Sequence, residues 1–269
     1  MAKFLMCKPD GYGIFYSINP WMEPRYWEMT DHYVAVNQWN TLKDKLEELG
    51  HEVVVIDQAA GSPDMCFVAN AGVVHNKNVI LSCMKHPERQ GEQKAFASFF
   101  KDHFKVLNYN SQVQEGAGDC LYDSFRMMMW FGYGQRSVKD ASWYTTEICG
   151  KLTTLVELVN PYFYHLDTCF CPLTNGEIVY YPPAFSHGSL KLIKDIIPAK
   201  RRIDLYSAEA DAFCANMICV GDDIIMPDWH GDLPNELKEK HGYNVHMLDM
   251  SAFIAAGGAC KCLVLRLDQ

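Results

Sequence analysis

The chain has 269 residues, of which 49% are hydrophobic and 21% are charged, and its formal net charge is −9. This composition is typical of a globular protein with a substantial apolar core. The acidic balance and the lack of a basic run argue against a nucleic-acid partner, and no stretch of about 18 apolar residues is present to span a membrane. An acidic protein is compatible with a cationic small-molecule substrate.

The hydrophobic pattern predicts alternating strands and helices. Helical spacing of apolar residues before Gly50 predicts a helix over residues 34–49, and the run 52–56 is typical of a buried strand. The other predicted elements up to residue 170 are strands at 4–7, 79–82, 104–107 and 162–170, a strand within the stretch 62–74, and helices over 90–104 and 138–158. After them come strands at 178–181, 243–248 and 263–265, a strand pair within 215–226, and helices over 186–197 and 233–241.

These elements group into about five units of roughly 50 residues without a linker between them, which predicts one α/β domain over residues 1–269. Acidic residues, histidine, asparagine and cysteine fall at strand ends and in glycine turns. In folds of this kind, polar groups from several units converge at one pole to build a site.

Eleven cysteines are present, an odd number with irregular spacing, and most lie inside apolar runs. This usage predicts reduced thiols in a cytoplasmic protein, and the first residues show no signal-peptide pattern. Cys169 and Cys171, like Cys260 and Cys262, are separated by one residue, unlike the knuckles of structural zinc sites, which leave roughly two to four residues between ligands. We therefore expect no metal site.

The stretch 257–267 combines a glycine pair, two cysteines and an alternating apolar run. The glycines allow a tight turn and a close approach of the backbone to a ligand. A thiol near such a turn is a strong nucleophile if its surroundings favour the thiolate, and the adjacent Lys261 would help. Taken alone, the stretch is more typical of two buried, inert thiols before a core strand.

Four polar or glycine-rich stretches stand out in order along the chain: Phe-Val-Ala-Asn-Ala-Gly at 67–72, Glu-Gly-Ala-Gly-Asp at 115–119, His-Leu-Asp-Thr at 165–168 and Gly-Gly-x-x-x-Cys at 257–262. In this order they resemble the guanidino-group-modifying enzymes, which are the arginine deiminases, dimethylarginine dimethylaminohydrolases, amidinotransferases and arginine dihydrolases. The resemblance covers residues 19–267. It implies the pentein fold, a pseudo-five-fold α/β propeller, in agreement with the five units above.

The resemblance also implies catalytic roles. Cys262 matches the nucleophile, with Cys260 as the competing candidate, and His165 matches the general acid/base. Glu115 is similar to the acid that binds the guanidinium and orients the site. The thiolate would attack the guanidinium carbon, His165 would protonate the departing amine, and the same imidazole would then activate water to hydrolyse the covalent adduct.

Other residues are implied to bind the substrate. Asp167 resembles a second carboxylate that grips the guanidinium nitrogens. Arg89 and Arg136 resemble two arginines that clamp the substrate α-carboxylate, a bidentate task suited to guanidinium groups. Asn19 and Asp64 are further expected substrate contacts. The implied partner is a small guanidino compound, and no cofactor is implied.

Asn70 departs from the deiminases and dimethylarginine hydrolases, which have aspartate there, and agrees with the arginine dihydrolases. A carboxylate only accepts hydrogen bonds, whereas an amide also donates. An amide could hold the neutral ureido oxygen of citrulline for a second attack. We therefore predict two hydrolyses, from arginine through bound citrulline to ornithine, carbon dioxide and two molecules of ammonia.

Three alternatives remain open at this stage. A deiminase or dimethylarginine hydrolase would stop at citrulline, an amidinotransferase would need an amine acceptor, and a non-catalytic ribosome-binding factor shares the fold. The sequence leaves open the substituents on the guanidine, the oligomeric state, including a homo-oligomer, and regulation.

Overall fold

The computed structural model describes residues 1–26, 32–107, 112–150 and 152–269, and fifteen short strands lie within them. The strands are β1 (Lys3–Cys7), β2 (Glu52–Ile56), β3 (Gly72–His75), β4 (Asn78–Leu81), β5 (Lys105–Leu107), β6 (Cys120–Asp123), β7 (Met128–Tyr133), β8 (Thr153–Glu157), β9 (Phe170–Pro172), β10 (Ile178–Tyr180), β11 (Arg202–Asp204), β12 (Ile218–Val220), β13 (Asp223–Pro227), β14 (Asn244–Leu248) and β15 (Leu265–Arg266).

The strands form five three-stranded sheets with one repeated topology. In the sheets β3-β4-β5, β6-β7-β8, β9-β10-β11 and β12-β13-β14, the first pair of strands is antiparallel and the second pair is parallel. The fifth sheet has the order β15-β1-β2, so the last strand of the chain occupies the leading position of the first unit. These five sheets agree with the predicted five-unit α/β arrangement.

A helix connects the two parallel strands of each unit, as a parallel crossover requires. The helices are α1 (His32–Glu48), α2 (Pro87–Gln90), α3 (Glu92–Lys101), α4 (Ser142–Cys149), α5 (His187–Ile196), α6 (Ser207–Asp211), α7 (Leu233–Glu239) and α8 (Ser251–Ile254). Among the described residues, no helix is both long and apolar enough to cross a membrane.

The apolar core lies between the sheets and their helices. Its largest fully buried side chains include Trp130, Tyr180 and Phe4. Burying each large apolar side chain contributes about 1.5–3 kcal/mol to the free energy of unfolding. In contrast to this apolar core, the turns that enter the leading strands carry polar side chains.

The turn before each leading strand supplies one part of the predicted site. Asn70 precedes β3, Glu115 precedes β6, His165 and Asp167 precede β9, and Cys262 precedes β15. In the fourth unit the corresponding turn, before β12, carries Asn216, which sequence reasoning did not single out. The repeat thus brings residues from distant parts of the chain together.

Two predicted strands need correction because much of each lies in buried 3₁₀ turns. The strand predicted within 62–74 is confirmed only at its end, where β3 begins at Gly72, and the turns Pro63–Cys66 and Val68–Ala71 precede it. Most of the predicted strand 162–170 is loop, followed by the turn Leu166–Thr168, and β9 begins only at Phe170. All three of these turns are buried, so their amino-acid composition resembles that of a buried strand.

Several predicted boundaries also need correction. The predicted helix 138–158 contains the turn Lys139–Ala141, α4 and the missed strand β8, while residue 151 lies outside the described residues. Gly150, with φ of 55°, ends α4. The predicted helix 90–104 corresponds to α3, and the short helix α2 just before it was missed. Of the predicted strand 263–265, only Leu265 lies in a strand, β15.

Candidate active site

Cys262 lies in a turn held by Asn216. Nδ2 of Asn216 donates a hydrogen bond to Sγ of Cys262 at 3.1 Å, and Oδ1 accepts from the backbone N–H groups of Ala259 and Cys262, both at 3.2 Å. Sγ of Cys262 also lies 3.6 Å from Oδ2 of Asp167. One amide side chain therefore fixes both the turn and its sulfur.

The preceding glycines are required by close contacts. A Cβ on Gly258 would lie 2.6 Å from the Phe67 ring and 3.2 Å from Cβ of Cys262, and Gly257 has a φ of 87°, which disfavours larger residues. Cys260, the competing candidate, is fully buried within the apolar core. It does not line the cavity that Cys262 reaches.

Burial dominates the ionisation of this pair. Burial and the neighbouring Asp167 carboxylate raise the pKa of the Cys262 thiol well above its usual value, and Asn216 and Lys261 oppose this only in part. Burial raises the pKa of Asp167 to about 7, against the attraction of Lys261. A cation bound beside both groups would favour their charged forms. Oδ1 of Asp167 has no hydrogen-bond partner among the described residues, so it is available to such a cation.

Glu115 and His165 form the second half of the site. Nε2 of His165 lies 2.7 Å from Oε2 of Glu115, and Nη1 of Arg136 donates to the same oxygen at 2.8 Å. The other oxygen, Oε1, accepts from the backbone N–H of Lys85 at 2.9 Å. Burial alone would raise the pKa of Glu115, but Arg136 and His165 lower it well below the usual range. Glu115 is therefore a permanent carboxylate that orients the imidazole.

Arg136 also joins the rest of the cavity wall. Its Nη2 donates to the carbonyl of Ile18 at 2.9 Å, and its guanidinium carbon lies 4.5 Å above the centroid of the Tyr164 ring. The Tyr164 hydroxyl donates to the carbonyl of Gly257 at 2.6 Å. Arg136 and Tyr164 thus connect the imidazole region to the turn that carries Cys262.

Asn70 and Arg89 form a further part of the cavity wall. Nη1 of Arg89 donates to Oδ1 of Asn70 at 2.8 Å, and Nδ2 of Asn70 donates to the carbonyl of Glu115 at 2.8 Å. The remaining bonds of Arg89 go to Glu92 and to the carbonyl of Asp64. One N–H of Nη1 is left for a ligand.

Asp64 and Asn19 complete the set of predicted residues. Oδ2 of Asp64 accepts from the Tyr16 hydroxyl at 2.8 Å, and burial raises the pKa of Asp64 despite the nearby Arg89. Asn19 accepts from the N–H groups of Trp21 and Met22 and donates to the carbonyl of Ala256. The Asn19 side chain therefore ties its own loop to the turn before Gly257.

These side chains surround one narrow cavity. Of the predicted residues, Asn19, Asp64, Asn70, Arg89, Arg136, His165 and Cys262 line it. Glu115 and Asp167 lie directly behind, in contact with His165 and Cys262. The cavity volume is about 10 Å³, which is roughly enough for one water molecule. The walls must therefore move apart to admit a larger ligand. A separate cavity of about 260 Å³ is lined by Asp167 and Lys261 but not by Cys262, His165 or Glu115.

Sequence reasoning missed three supporting residues. Asn216 is a single asparagine before a short strand, and its only signal was its position in the fourth unit. Asp119 belonged to a recognised motif without an assigned role. Its carboxylate accepts from Ser137 Oγ at 2.6 Å and from the Leu166 N–H at 3.1 Å, which ties two site turns together. Glu92 has the appearance of an ordinary helix residue.

Among the described residues, no group of three or more His, Cys, Asp and Glu side chains is arranged to hold a metal ion. The side chains that the site brings together include a thiol, an imidazole and several carboxylates. Together with the five-sheet fold, this set defines a pentein with a guanidino-modifying type of site.

Comparison with known proteins gives the family. The family model described as N,N dimethylarginine dimethylhydrolase, eukaryotic, matches residues 28–267. The chain belongs to this dimethylarginine dimethylaminohydrolase family, which confirms the resemblance predicted from the four motifs.

Two relatives match nearly the whole chain. The chain is 40% identical to the bifunctional arginine dihydrolase/ornithine cyclodeaminase ArgZ of Synechocystis sp., over 99% of this chain and 38% of that protein. It therefore spans less than half the length of ArgZ. It is 32% identical to the N(G),N(G)-dimethylarginine dimethylaminohydrolase of Mycobacterium tuberculosis, over 98% of this chain and 85% of that protein.

Solved structures confirm the predicted fold. The substrate-bound N-terminal domain of ArgZ, described as an arginine dihydrolase, matches with a TM-score of 0.96 at 39% identity and covers 100% of this chain and 99% of its own. The citrulline complex of a dimethylarginine dimethylaminohydrolase from Pseudomonas aeruginosa matches with a TM-score of 0.81 at 17% identity, which supports the fold alone.

Proposed function

We propose that this chain is an arginine dihydrolase, which converts L-arginine and two molecules of water to ornithine, carbon dioxide and two molecules of ammonia. The observation that carries the proposal is that the Cys262 sulfur and the Glu115-bound imidazole of His165 meet at one cavity, with Asp167 beside the sulfur. A nucleophile, an acid/base and an anionic site for a cation are the groups that guanidine hydrolysis needs.

The first round removes one terminal nitrogen. The arginine guanidinium binds beside Asp167 and lowers the pKa of the Cys262 thiol, which gives up its proton to water and attacks the guanidinium carbon as the thiolate. His165 protonates one amino group of this adduct, ammonia departs, and an amidino group remains bonded to sulfur. His165 then takes a proton from water, the hydroxide adds to the same carbon, and the carbon–sulfur bond breaks to give citrulline and the thiolate.

The second round repeats this sequence on the neutral ureido group. The thiolate attacks the ureido carbon, ammonia leaves, and water cleaves the resulting S-carbamoyl bond. The product is ornithine N-carbamate, which loses carbon dioxide to give ornithine. Asn70 supports this step because Nδ2 carries a second hydrogen beyond the one donated to Glu115, and that hydrogen could bind a ureido oxygen.

The comparisons support this choice. The matched part of ArgZ is its N-terminal domain, which is described as an arginine dihydrolase, and our proposal covers only that reaction. The family match and the mycobacterial relative favour a second candidate, the hydrolysis of dimethylarginine to citrulline. The two candidates differ in substrate and in end product.

The test is to incubate the purified protein with arginine, dimethylarginine or citrulline and to quantify citrulline, ornithine and ammonia. We expect ornithine and ammonia in a 1:2 ratio from arginine, without any amine acceptor. Cys262→Ser should abolish the reaction, while Cys260→Ser serves as the matched thiol control and should retain it. Citrulline as the end product of the wild-type protein would refute the dihydrolase assignment.

We further propose that residues 1–269 act as one catalytic domain and that the protein is cytoplasmic. The ten cysteines whose side chains the structure describes are all free thiols, in keeping with a reducing compartment. A homo-oligomer is also proposed. Sedimentation of the purified protein would measure its oligomeric state.

A further inference from the structure

Glu92 is a buried carboxylate that accepts two hydrogen bonds from one arginine, Arg89. Glu92 lies in α3 with no solvent exposure, and it does not line the cavity. Nε of Arg89 donates to Oε1 at 2.8 Å, and Nη2 donates to Oε2 at 2.9 Å. This bidentate pairing fixes the plane of the guanidinium group as well as its position.

The fixed guanidinium determines which way the Asn70 amide faces. Arg89 has only donors, so the Asn70 atom opposite Nη1 must be the oxygen Oδ1. The carbonyl of Glu115 is only an acceptor, so the atom opposite it must be the nitrogen Nδ2. Glu92 therefore acts on Asn70 through Arg89, from outside the cavity.

Without the Glu92 charge, Arg89 has other carboxylates to turn toward. Asp64 and Glu115 are both close enough to favour its charged form. If Arg89 moves to either of them, Oδ1 of Asn70 loses its donor. The amide is then held only by the bond from Nδ2 to the carbonyl of Glu115, so it is free to rotate about that bond.

We propose that Glu92 is a positioning residue: by holding Arg89, it keeps the amide nitrogen of Asn70 available to the ureido oxygen and so controls whether the reaction continues past citrulline. This inference rests on the proposed dihydrolase function. It concerns the second hydrolysis rather than the first, because only the second needs a donor to a neutral oxygen.

The experiment compares Glu92→Gln and Glu92→Asp with the wild-type protein. Arginine is the substrate, and the readouts are the ratio of free citrulline to ornithine together with kcat and KM for arginine loss. The control is Asp123→Asn. Asp123 is also a buried carboxylate that pairs with an arginine three residues away, Arg126, at 2.8 Å, and it lies outside the cavity.

We expect Glu92→Gln to raise the citrulline to ornithine ratio roughly tenfold or more, since a lost charge-assisted hydrogen bond has about that effect on an equilibrium. Glu92→Asp keeps the charge on a shorter side chain and should give an intermediate ratio. Asp123→Asn should leave the ratio unchanged, even if it lowers the melting temperature.

Two results would overturn the inference while leaving the proposed function standing. One is an unchanged product ratio with a raised KM, which would mean that Glu92 only holds Arg89 in place for substrate binding. The other is that neither Glu92 variant folds, which would mean that the Glu92–Arg89 pair serves the stability of the fold. A wild-type protein that itself ends at citrulline would refute both the function and the inference, and the wild-type products alone reveal this.

Discussion

Asn70→Asp replaces the side-chain amide nitrogen with a carboxylate oxygen. In our proposal this nitrogen decides whether the reaction stops at citrulline or continues to ornithine. In the wild-type protein, Nδ2 of Asn70 donates to the carbonyl of Glu115 at 2.8 Å. In the variant, a carboxylate oxygen would face that carbonyl oxygen at about the same distance, with no proton between them. The other oxygen would still accept from Arg89, and the added charge would strengthen that bond.

The size of the expected effects follows from the loss of the hydrogen bond between Nδ2 of Asn70 and the carbonyl of Glu115. Leaving a buried acceptor unpaired costs about 1–3 kcal/mol, so we expect the free energy of unfolding to fall by about that amount. The carboxylate would still bind the arginine cation, so the first hydrolysis should continue. It would repel the neutral ureido oxygen, and each 1.4 kcal/mol of lost stabilisation slows the second hydrolysis about tenfold. The variant should therefore release citrulline.

The assay is chromatography of the amino-acid products after complete conversion of arginine, alongside a thermal unfolding curve. Asn78→Asp is the matched control, because Nδ2 of Asn78 also donates to a backbone carbonyl, that of Asn76, outside the cavity. The control should yield ornithine. Ornithine as the main product of Asn70→Asp would refute the argument that an amide donor is needed.

Three further predictions concern the sulfur and its turn. Asn216→Leu removes the donor to Sγ of Cys262 and should lower kcat for arginine about tenfold or more, as measured by ammonia release; an unchanged rate would contradict the role given to this amide. Gly258→Ala forces a Cβ to within 2.6 Å of the Phe67 ring, so the melting temperature and kcat should both fall; wild-type values for both would show that the turn yields freely. In the proposed mechanism the carboxylate form of Asp167 binds the cation, and burial raises the pKa of Asp167 to about 7. We therefore expect kcat/KM for arginine to fall as the pH drops through about 7, and the pH profile of Asp167→Asn should lack this limb; an identical limb in the variant would assign it to another group.

The sequence predicted most of the architecture because its units are built from ordinary local signals. Apolar runs, closing glycines and helical spacing located strands such as β2 and helices such as α1 and α5 to within two residues. The errors arose where elements are short. The turns Pro63–Cys66 and Leu166–Thr168 are buried on all sides and span only about one helical turn, so no periodicity separates them from strands.

The site was predictable in part for a similar reason. Cys262, His165 and Glu115 stand in motifs whose order resembles a known family, and they meet as expected. Asn216 and Glu92 could not be found in this way, because a lone asparagine and a helix glutamate carry no local signal. Their importance comes from contacts across many residues of sequence, which only the folded structure provides.

The proposed mechanism requires Cys262 to form a covalent adduct at the guanidinium carbon. The most direct measurement is rapid acid quenching of the protein with arginine, followed by peptide mass spectrometry that distinguishes Cys262 from Cys260. We predict an amidino or carbamoyl adduct on Cys262 alone. An adduct on Cys260, or full turnover with Cys262→Ser, would contradict the account.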